Sequence, residues 1–310
     1  MHTAIIYGMS ITADFDFPIY PTYTQDGIIA SVEVRNSYVE MNSDIIHRII
    51  YQSASIPYEI ITYYDDCIEF CYPKLQQLQL KYKCSPMQIL YKQEVRSSEE
   101  KLLMQYLLLN RVLPFCATQM ECLVLHGSVM YDAIGRYAFC ILGESNVGKS
   151  TLVAYLIKCG YQLISDDTIV LRECSGLFEV LSGVQAYELH DDSLLLLNGL
   201  GLDYHGIGMN RYNNKSIIMC EKKELYLEKN AYIQHVLFLQ NTDDFVCERL
   251  STIKGYKRLI KKNIRTYGIQ AKNVFYMISR LSQTTICHVL GFPKCDASLR
   301  TIADQLATLR

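Results

Sequence analysis

At 310 residues the chain has room for one large domain or two ordinary ones, and a half-apolar, one-fifth-charged composition is that of a globular protein with a sizeable core. Its 30 basic and 32 acidic residues give a formal net charge of −2, which excludes a chain-wide attraction for nucleic acid or anionic membrane. Twelve cysteines lie scattered through apolar segments, and the opening Met1-His2-Thr3-Ala4-Ile5 lacks the basic and apolar stretches of an export signal, so reduced thiols and a cytoplasmic location are expected.

Residues 1–95 read as a β-rich domain, with strands expected at 4–7, 10–13, 28–34, 59–63 and 68–72, and Pro18, Pro21, Pro57 and Pro73 between them. Cys67 and Cys71 have no second pair at zinc-site spacing and read as buried apolar residues. Residues 96–121 read as a connecting helix. Ser97 can cap the amide of Glu100 in an S-x-x-E box, and Pro114 is expected to kink or end the helix.

Residues 122–310 alternate buried strands with helices, the pattern of a nucleotide-binding α/β core. Strands are expected at 123–130, 137–142, 162–165, 168–171, 217–220, 232–239, 245–250 and 285–290. Helices are expected at 149–159, closed by Gly160, and near 191–197, 252–264, 271–282 and 296–308. No apolar run reaches the ~18 residues of a membrane span.

Between the second of these strands and the first helix lies Gly143-Glu144-Ser145-Asn146-Val147-Gly148-Lys149-Ser150-Thr151, a full match to G-x-x-x-x-G-K-[ST] in strand–loop–helix context. Such a loop cradles a nucleoside triphosphate: the glycines let it curl, Lys149 reaches the β- and γ-phosphates, and Ser150 supplies a hydroxyl for Mg²⁺. Thr151 stands one place later and either meets the α-phosphate or simply begins the helix.

Asp166 and Asp167 follow at the end of the run Tyr161-Gln162-Leu163-Ile164-Ser165. A strand returning beside the loop strand would bring both to the phosphates, with Asp166 on the metal and Asp167 accepting the proton of an attacking hydroxyl. Two further features offer cations. Arg211 and Lys215 lie in or beside the Gly- and Asn-rich segment 206–214, which reads as a mobile loop able to clamp a phosphate or carboxylate, or as plain surface. Lys254, Lys257, Arg258, Lys261, Lys262 and Arg265 read as a solvated helix face that could also steer an acidic peptide.

These motifs together resemble the HPr kinase/phosphorylase family. The likeness runs through Leu125-His126-Gly127-Ser128, the glycine loop with its Lys149, and Leu163-Ile164-Ser165-Asp166-Asp167 at the family's spacing. The opening Tyr7-Gly8-Met9-Ser10-Ile11 followed by Phe17-Pro18 is similar to a branch found in natural-product clusters, including kinases of a C-terminal serine in lasso peptide precursors. The resemblance implies an α/β fold with a P-loop HPr-kinase-like C-terminal core and a smaller β-rich N-terminal domain. It also implies ATP and Mg²⁺ as cofactors, Asp167 as the proton-exchanging residue, Lys149 as the phosphate anchor, and His126 as a polar neighbour of the acid pair. A peptide or small protein with an acceptor serine is the implied partner, and a homo-oligomer is implied by the family's habit of assembling.

Departures from the pattern matter. Asn146 stands in place of a loop glycine, which a left-handed-tolerant residue allows. The family's Glu-x-Arg-Gly-x-Gly stretch corresponds to Leu196-Leu197-Asn198-Gly199-Leu200-Gly201, which keeps the glycines and neither charged residue. Glu188, Asp191 or Asp192 could supply the missing acid. Three functions therefore stand open: a one-way serine kinase, a nucleotide-binding regulatory module that transfers nothing, and a kinase of a small hydroxylated metabolite.

Overall fold

The chain begins with two strands, β1 (His2–Ile6) and β2 (Met9–Ala13), joined by Tyr7 and Gly8 alone. Both turn residues have positive φ, 52° and 72°, the signature of a type I′ turn whose twist matches that of the strands it joins. In the computed structural model, which describes residues 2–15, 30–41, 44–51, 59–72, 76–183, 186–202, 206–210, 215–220, 231–262, 271–293 and 295–310, the protein is mixed α/β and divides into two compact units, one of residues up to Met120 together with Asn210, the other of the remaining residues from Glu121 on.

The first unit adds β3 (Ala30–Arg35), β4 (His47–Tyr51), β5 (Glu59–Tyr63), β6 (Cys67–Tyr72), β7 (Gln76–Lys81) and β8 (Met87–Tyr91). Together they form an eight-stranded sheet in the order β1-β2-β3-β8-β7-β6-β5-β4. Its buried positions alternate, as at Met9, Ile11 and Ala13, so one face packs against the helices that follow. Phe115 from those helices lies edge-on to Phe70, with centroids 6.0 Å apart. Burial pushes the Cys67 thiol up to about 12, which keeps it protonated and apolar at neutral pH.

Helix α1 (Ser98–Leu107) starts on the expected capping box: the Ser97 hydroxyl accepts from the Glu100 amide at 3.2 Å, and the Glu100 carboxylate accepts from the Ser97 amide at 2.7 Å. Pro114 does not end the helical run. The chain passes through a π-helical turn, Leu108–Val112, into α2 (Leu113–Gln119), with Pro114 in the first turn of that helix. The wider turn just before the proline makes room where an i→i−4 bond cannot form.

The second unit is built on a six-stranded sheet, ordered β12-β10-β11-β18-β20-β19. Its strands are β10 (Ser128–Asp132), β11 (Tyr137–Gly143), β12 (Gln162–Ser165), β18 (Ile233–Asn241), β19 (Val246–Arg249) and β20 (Ile286–Phe292). A smaller sheet joins β9 (Leu123–His126), β13 (Thr168–Cys174) and β14 (Leu177–Leu181), and another joins β15 (Ala186–Leu189), β16 (Gly206–Asn210) and β17 (Lys215–Met219). The 206–210 part of the expected loop is thus strand, and Lys215 opens a strand. Arg211, Arg265, Pro18, Pro21, Pro57 and Pro73 lie outside the described residues.

The six-stranded sheet is buried on both faces, which explains the unbroken apolar runs of its central strands. On β11, Phe139 and Ile141 pack with α3 (Lys149–Lys158) and α7 (Asp296–Ala307), through Leu152, Ile157, Ile302 and Leu306. Ala138, Cys140 and Leu142 point the other way, toward the β9–β13 layer, α5 (Thr252–Lys262) and α6 (Ala271–Thr284). Helix α4 (Asp191–Gly199) carries Leu197 into the α3 side. No disulfide joins the twelve cysteines, and among the described residues no helix is long and apolar enough to cross a membrane.

Two sequence expectations need correction here. The run 123–130 is two strands in two sheets, divided at Gly127, where a Cβ would lie 2.5 Å from the Ile141 carbonyl oxygen and 2.6 Å from Leu142 Cδ2. The acid-pair strand β12 does not lie beside the loop strand β11. The hairpin strand β10 inserts between them, pairing antiparallel with both.

Candidate active site

Because β10 runs antiparallel to both neighbours, β11 and β12 run in the same direction and end at the same edge of the sheet. The register fixes this: Ser128 faces Ile141 on β11, and Val129 faces Ser165 on β12. The glycine loop leaves β11 at Gly143 and the acid pair leaves β12 at Asp166, both from the carboxyl edge where open α/β sheets bind their ligands.

The loop is shaped for an anion. Asn146 and Gly148 take positive φ, 63° and 104°, which curls the chain back onto the start of α3. Val147 is buried and pins the loop to the core, while Glu144, Ser145 and Asn146 are exposed. Gly148 is the N-cap of α3 and supplies no side-chain acceptor, so no side chain caps the first-turn amides at the positive end of the helix. Lys149 folds back over the loop, its Nζ donating to the Gly143 and Glu144 carbonyl oxygens at 2.9 Å each. Ser150 follows it in the first turn. Thr151 Oγ1 lies 2.8 Å from Ser193 Oγ, so its hydroxyl ties α3 to α4.

The acid pair sits at a corner. The continuous strand pair β10–β12 of the large sheet becomes the pair β9–β13 of the small one, and the chain crosses at Gly127 on one side and at Asp166-Asp167 on the other. Asp167 makes the bend with φ 63°, a conformation Asp tolerates better than most residues but which still stores strain. Two donors hold its carbonyl oxygen: the Gly127 amide at 3.3 Å and His126 Nδ1 at 3.0 Å. A carbonyl only accepts, so this contact selects the Nδ1–H tautomer of His126. The Asp167 carboxylate lies 3.3 Å from the same nitrogen through Oδ1 and stays about half exposed, 46% by side chain, within reach of a ligand.

Asp166 is the more enclosed of the pair. Ser128 Oγ donates to its Oδ1 at 2.5 Å. Burial, with a smaller contribution from the Asp167 charge, pushes its carboxyl up to about 6, while the Ser128 hydrogen bond and the Lys215 ammonium pull the other way. Lys215 opens β17, and its charge is felt at Asp166. Ser128 is the residue that sequence reading passed over, although it stood two places after His126 in the motif string.

Asp166 and the Ser150 hydroxyl are hard oxygen donors, and among the described residues no group of three or more His, Cys, Asp or Glu could cage a metal. Oxygen donors of this kind are the ones Mg²⁺ takes when phosphate oxygens and water fill most of its shell. Glu188 lies on β15, and Asp191 and Asp192 are exposed in the first turn of α4.

No protein-family model matches the chain. A segment of 78 residues is 36% identical to an HPr kinase/phosphorylase of Clostridium novyi (strain NT), covering 25% of this chain and 23% of that protein. The chain thus spans under a quarter of the curated relative it matches. The solved Hpr(Ser) kinase/phosphatase from Coxiella burnetii aligns at 15% identity over 60% of this chain and 95% of its own, with a TM-score of 0.31, too low to relate the two folds.

Proposed function

We propose that the chain is an ATP- and Mg²⁺-dependent phosphotransferase of the HPr-kinase type that phosphorylates a serine hydroxyl on a peptide or small protein. The observation that carries this reading is the shared exit edge of β11 and β12, which brings a phosphate loop and a half-exposed acid to one rim of one sheet. The local sequence likeness to an HPr kinase/phosphorylase supports the same class.

In this reading the α3 amides and Lys149 hold the β- and γ-phosphates, and nucleotide entry draws Lys149 off the two carbonyls it now contacts. Ser150 and Asp166 would hold Mg²⁺, which would supply charge neutralisation for the transferring phosphoryl group. The serine hydroxyl loses its proton to the Asp167 carboxylate, and its oxygen forms the new bond to phosphorus. His126 and Gly127 keep Asp167 aimed by holding its backbone. The charge of Lys215 favours the ionised form of Asp166. The acceptor we favour is a lasso-type precursor peptide, on the strength of the N-terminal run from Tyr7 to Ile11.

The second reading, a nucleotide-binding module without transfer, draws support from the segment Leu196 to Gly201, which carries no acid or arginine. Incubation with MgATP and serine-bearing peptides, followed by intact-mass measurement, separates the two. A gain of one phosphoryl group on a peptide is expected. ATP binding with no transfer to any hydroxyl acceptor would favour the module.

A further inference from the structure

The hydroxyl of Ser128 occupies an unusual position for a strand residue. Ser128 opens β10, the strand that separates the loop strand from the acid-pair strand, and it is only 1% exposed. A hydroxyl buried to that degree needs a partner, and this one has a charged partner, Asp166 Oδ1, at 2.5 Å. Its place is fixed from both sides. Ser128 faces Ile141 two residues before the loop begins, and the preceding Gly127 packs against the Ile141 carbonyl oxygen too closely for any Cβ. The Gly127 amide meanwhile holds Asp167. Two adjacent residues of one chain segment thus fasten the two adjacent acids, one by its hydroxyl and one by its backbone.

Torsion about the bond that turns a carboxylate is soft and two-fold, so an isolated Asp166 would present either oxygen over a wide range of angles. A rigid donor on one oxygen removes that freedom. Carboxylates that bind metals are commonly fixed in this way by a hydrogen bond from outside the coordination shell, and loss of such a partner weakens metal affinity roughly 10- to 100-fold. We infer that Ser128 is a positioning residue, one that holds the Asp166 carboxylate in the orientation that receives Mg²⁺ with the nucleotide. This rests on the proposed role of Asp166 in holding Mg²⁺. It assigns to Ser128 neither contact with the substrate nor a part in proton transfer.

The test is ATP binding, followed by calorimetry, as MgCl₂ is titrated in, so no acceptor substrate is required. Ser128→Ala is expected to raise the Mg²⁺ concentration for half-maximal effect roughly 10- to 100-fold, with metal-free ATP affinity unchanged. Ser128→Thr, which keeps the hydroxyl, is expected to recover most of the wild-type response. Should Ser128→Ala fail to fold, Ser128→Cys, similar in size and a much weaker donor, carries the same comparison.

Asp166→Asn is the reference variant that separates the two layers of inference. A shift in Asp166→Asn with none in Ser128→Ala or Ser128→Cys overturns the role of Ser128 and leaves the Mg²⁺ assignment standing. No shift in Asp166→Asn overturns that assignment and the role of Ser128 with it. A loss in Ser128→Ala that Ser128→Thr does not recover would make residue 128 a packing site and likewise reject the positioning role.

Discussion

The glycine loop and the acid corner face the same edge of one sheet and are made in opposite ways. The loop is local, a single stretch from Gly143 to Thr151 that offers a ligand backbone amides, a helix end and one lysine. The corner is assembled from residues about forty positions apart, His126 to Ser128 and Asp166 to Asp167, tied to one another by hydrogen bonds between strands. Phosphate recognition needs many weak, fixed dipoles, which a turn can supply alone. Proton acceptance and metal binding need carboxylates at defined angles, and those require support from a second strand.

Variants on each side should break one half and spare the other. Lys149→Ala is expected to weaken ATP binding roughly 10- to 100-fold, the loss of a charge-assisted contact, while leaving thermal stability nearly unchanged. Calorimetric titration and a melting curve check both parts. Gly127→Ala attacks the corner through packing: the added carbon meets a carbonyl oxygen at 2.5 Å and should cost about 1–3 kcal/mol in denaturant titrations.

Charge sharpens the same contrast. The Asp166 carboxyl has its folded pKa raised to about 6, so its neutral form suits the fold, and stability is lost as pH rises from about 4 through 6. The neutral isostere Asp166→Asn should therefore raise Tm at pH 7.5 by roughly 2–4 °C, about 1 kcal/mol for a unit of this size, while abolishing the Mg²⁺ response of ATP binding. An unchanged or lower Tm would count against the burial that sets this site apart.

The sheet interior behaves with the opposite sign. His235 on β18 is buried against His288 on β20, with the ring nitrogens 3.4 Å apart. Burial, then the charges of His288 and Arg249, pushes its pKa down to about 4. The unfolded imidazole takes a proton below about pH 6.5 that the folded one refuses until about pH 4, so stability falls as pH drops through that window. The loss is expected to reach about 1–3 kcal/mol, and His235→Leu should reduce it in melting curves recorded from pH 7 to 4, the rest coming from His288, which burial also lowers.

The same division between local and assembled features decides what the sequence discloses. The Ser97–Glu100 box, the strand 59–63 and the strand–loop–helix around Lys149 depend on neighbours within a few positions, and each is readable from the pattern. The strands at His47–Tyr51, Gln76–Lys81 and Met87–Tyr91 were not expected. β7, Gln-Gln-Leu-Gln-Leu-Lys, is polar in composition and becomes a strand through its partners on either side. The break at Gly127 hides inside an apolar run, since periodicity carries no sign of a change of sheet. For the same reason the sequence places β12 one strand too close to β11, and passes over Ser128, whose partner lies 38 positions away.

The proposed phosphotransfer needs both halves at once, and substitution can separate them. The measurement that tests it most directly is transfer of phosphate from MgATP to a serine peptide by Asp167→Asn, with ATP binding measured on the same sample. ATP binding is expected to stay close to that of the unaltered protein, with transfer reduced roughly 10²- to 10⁴-fold, the usual worth of a positioned base. Transfer undiminished in Asp167→Asn would contradict it.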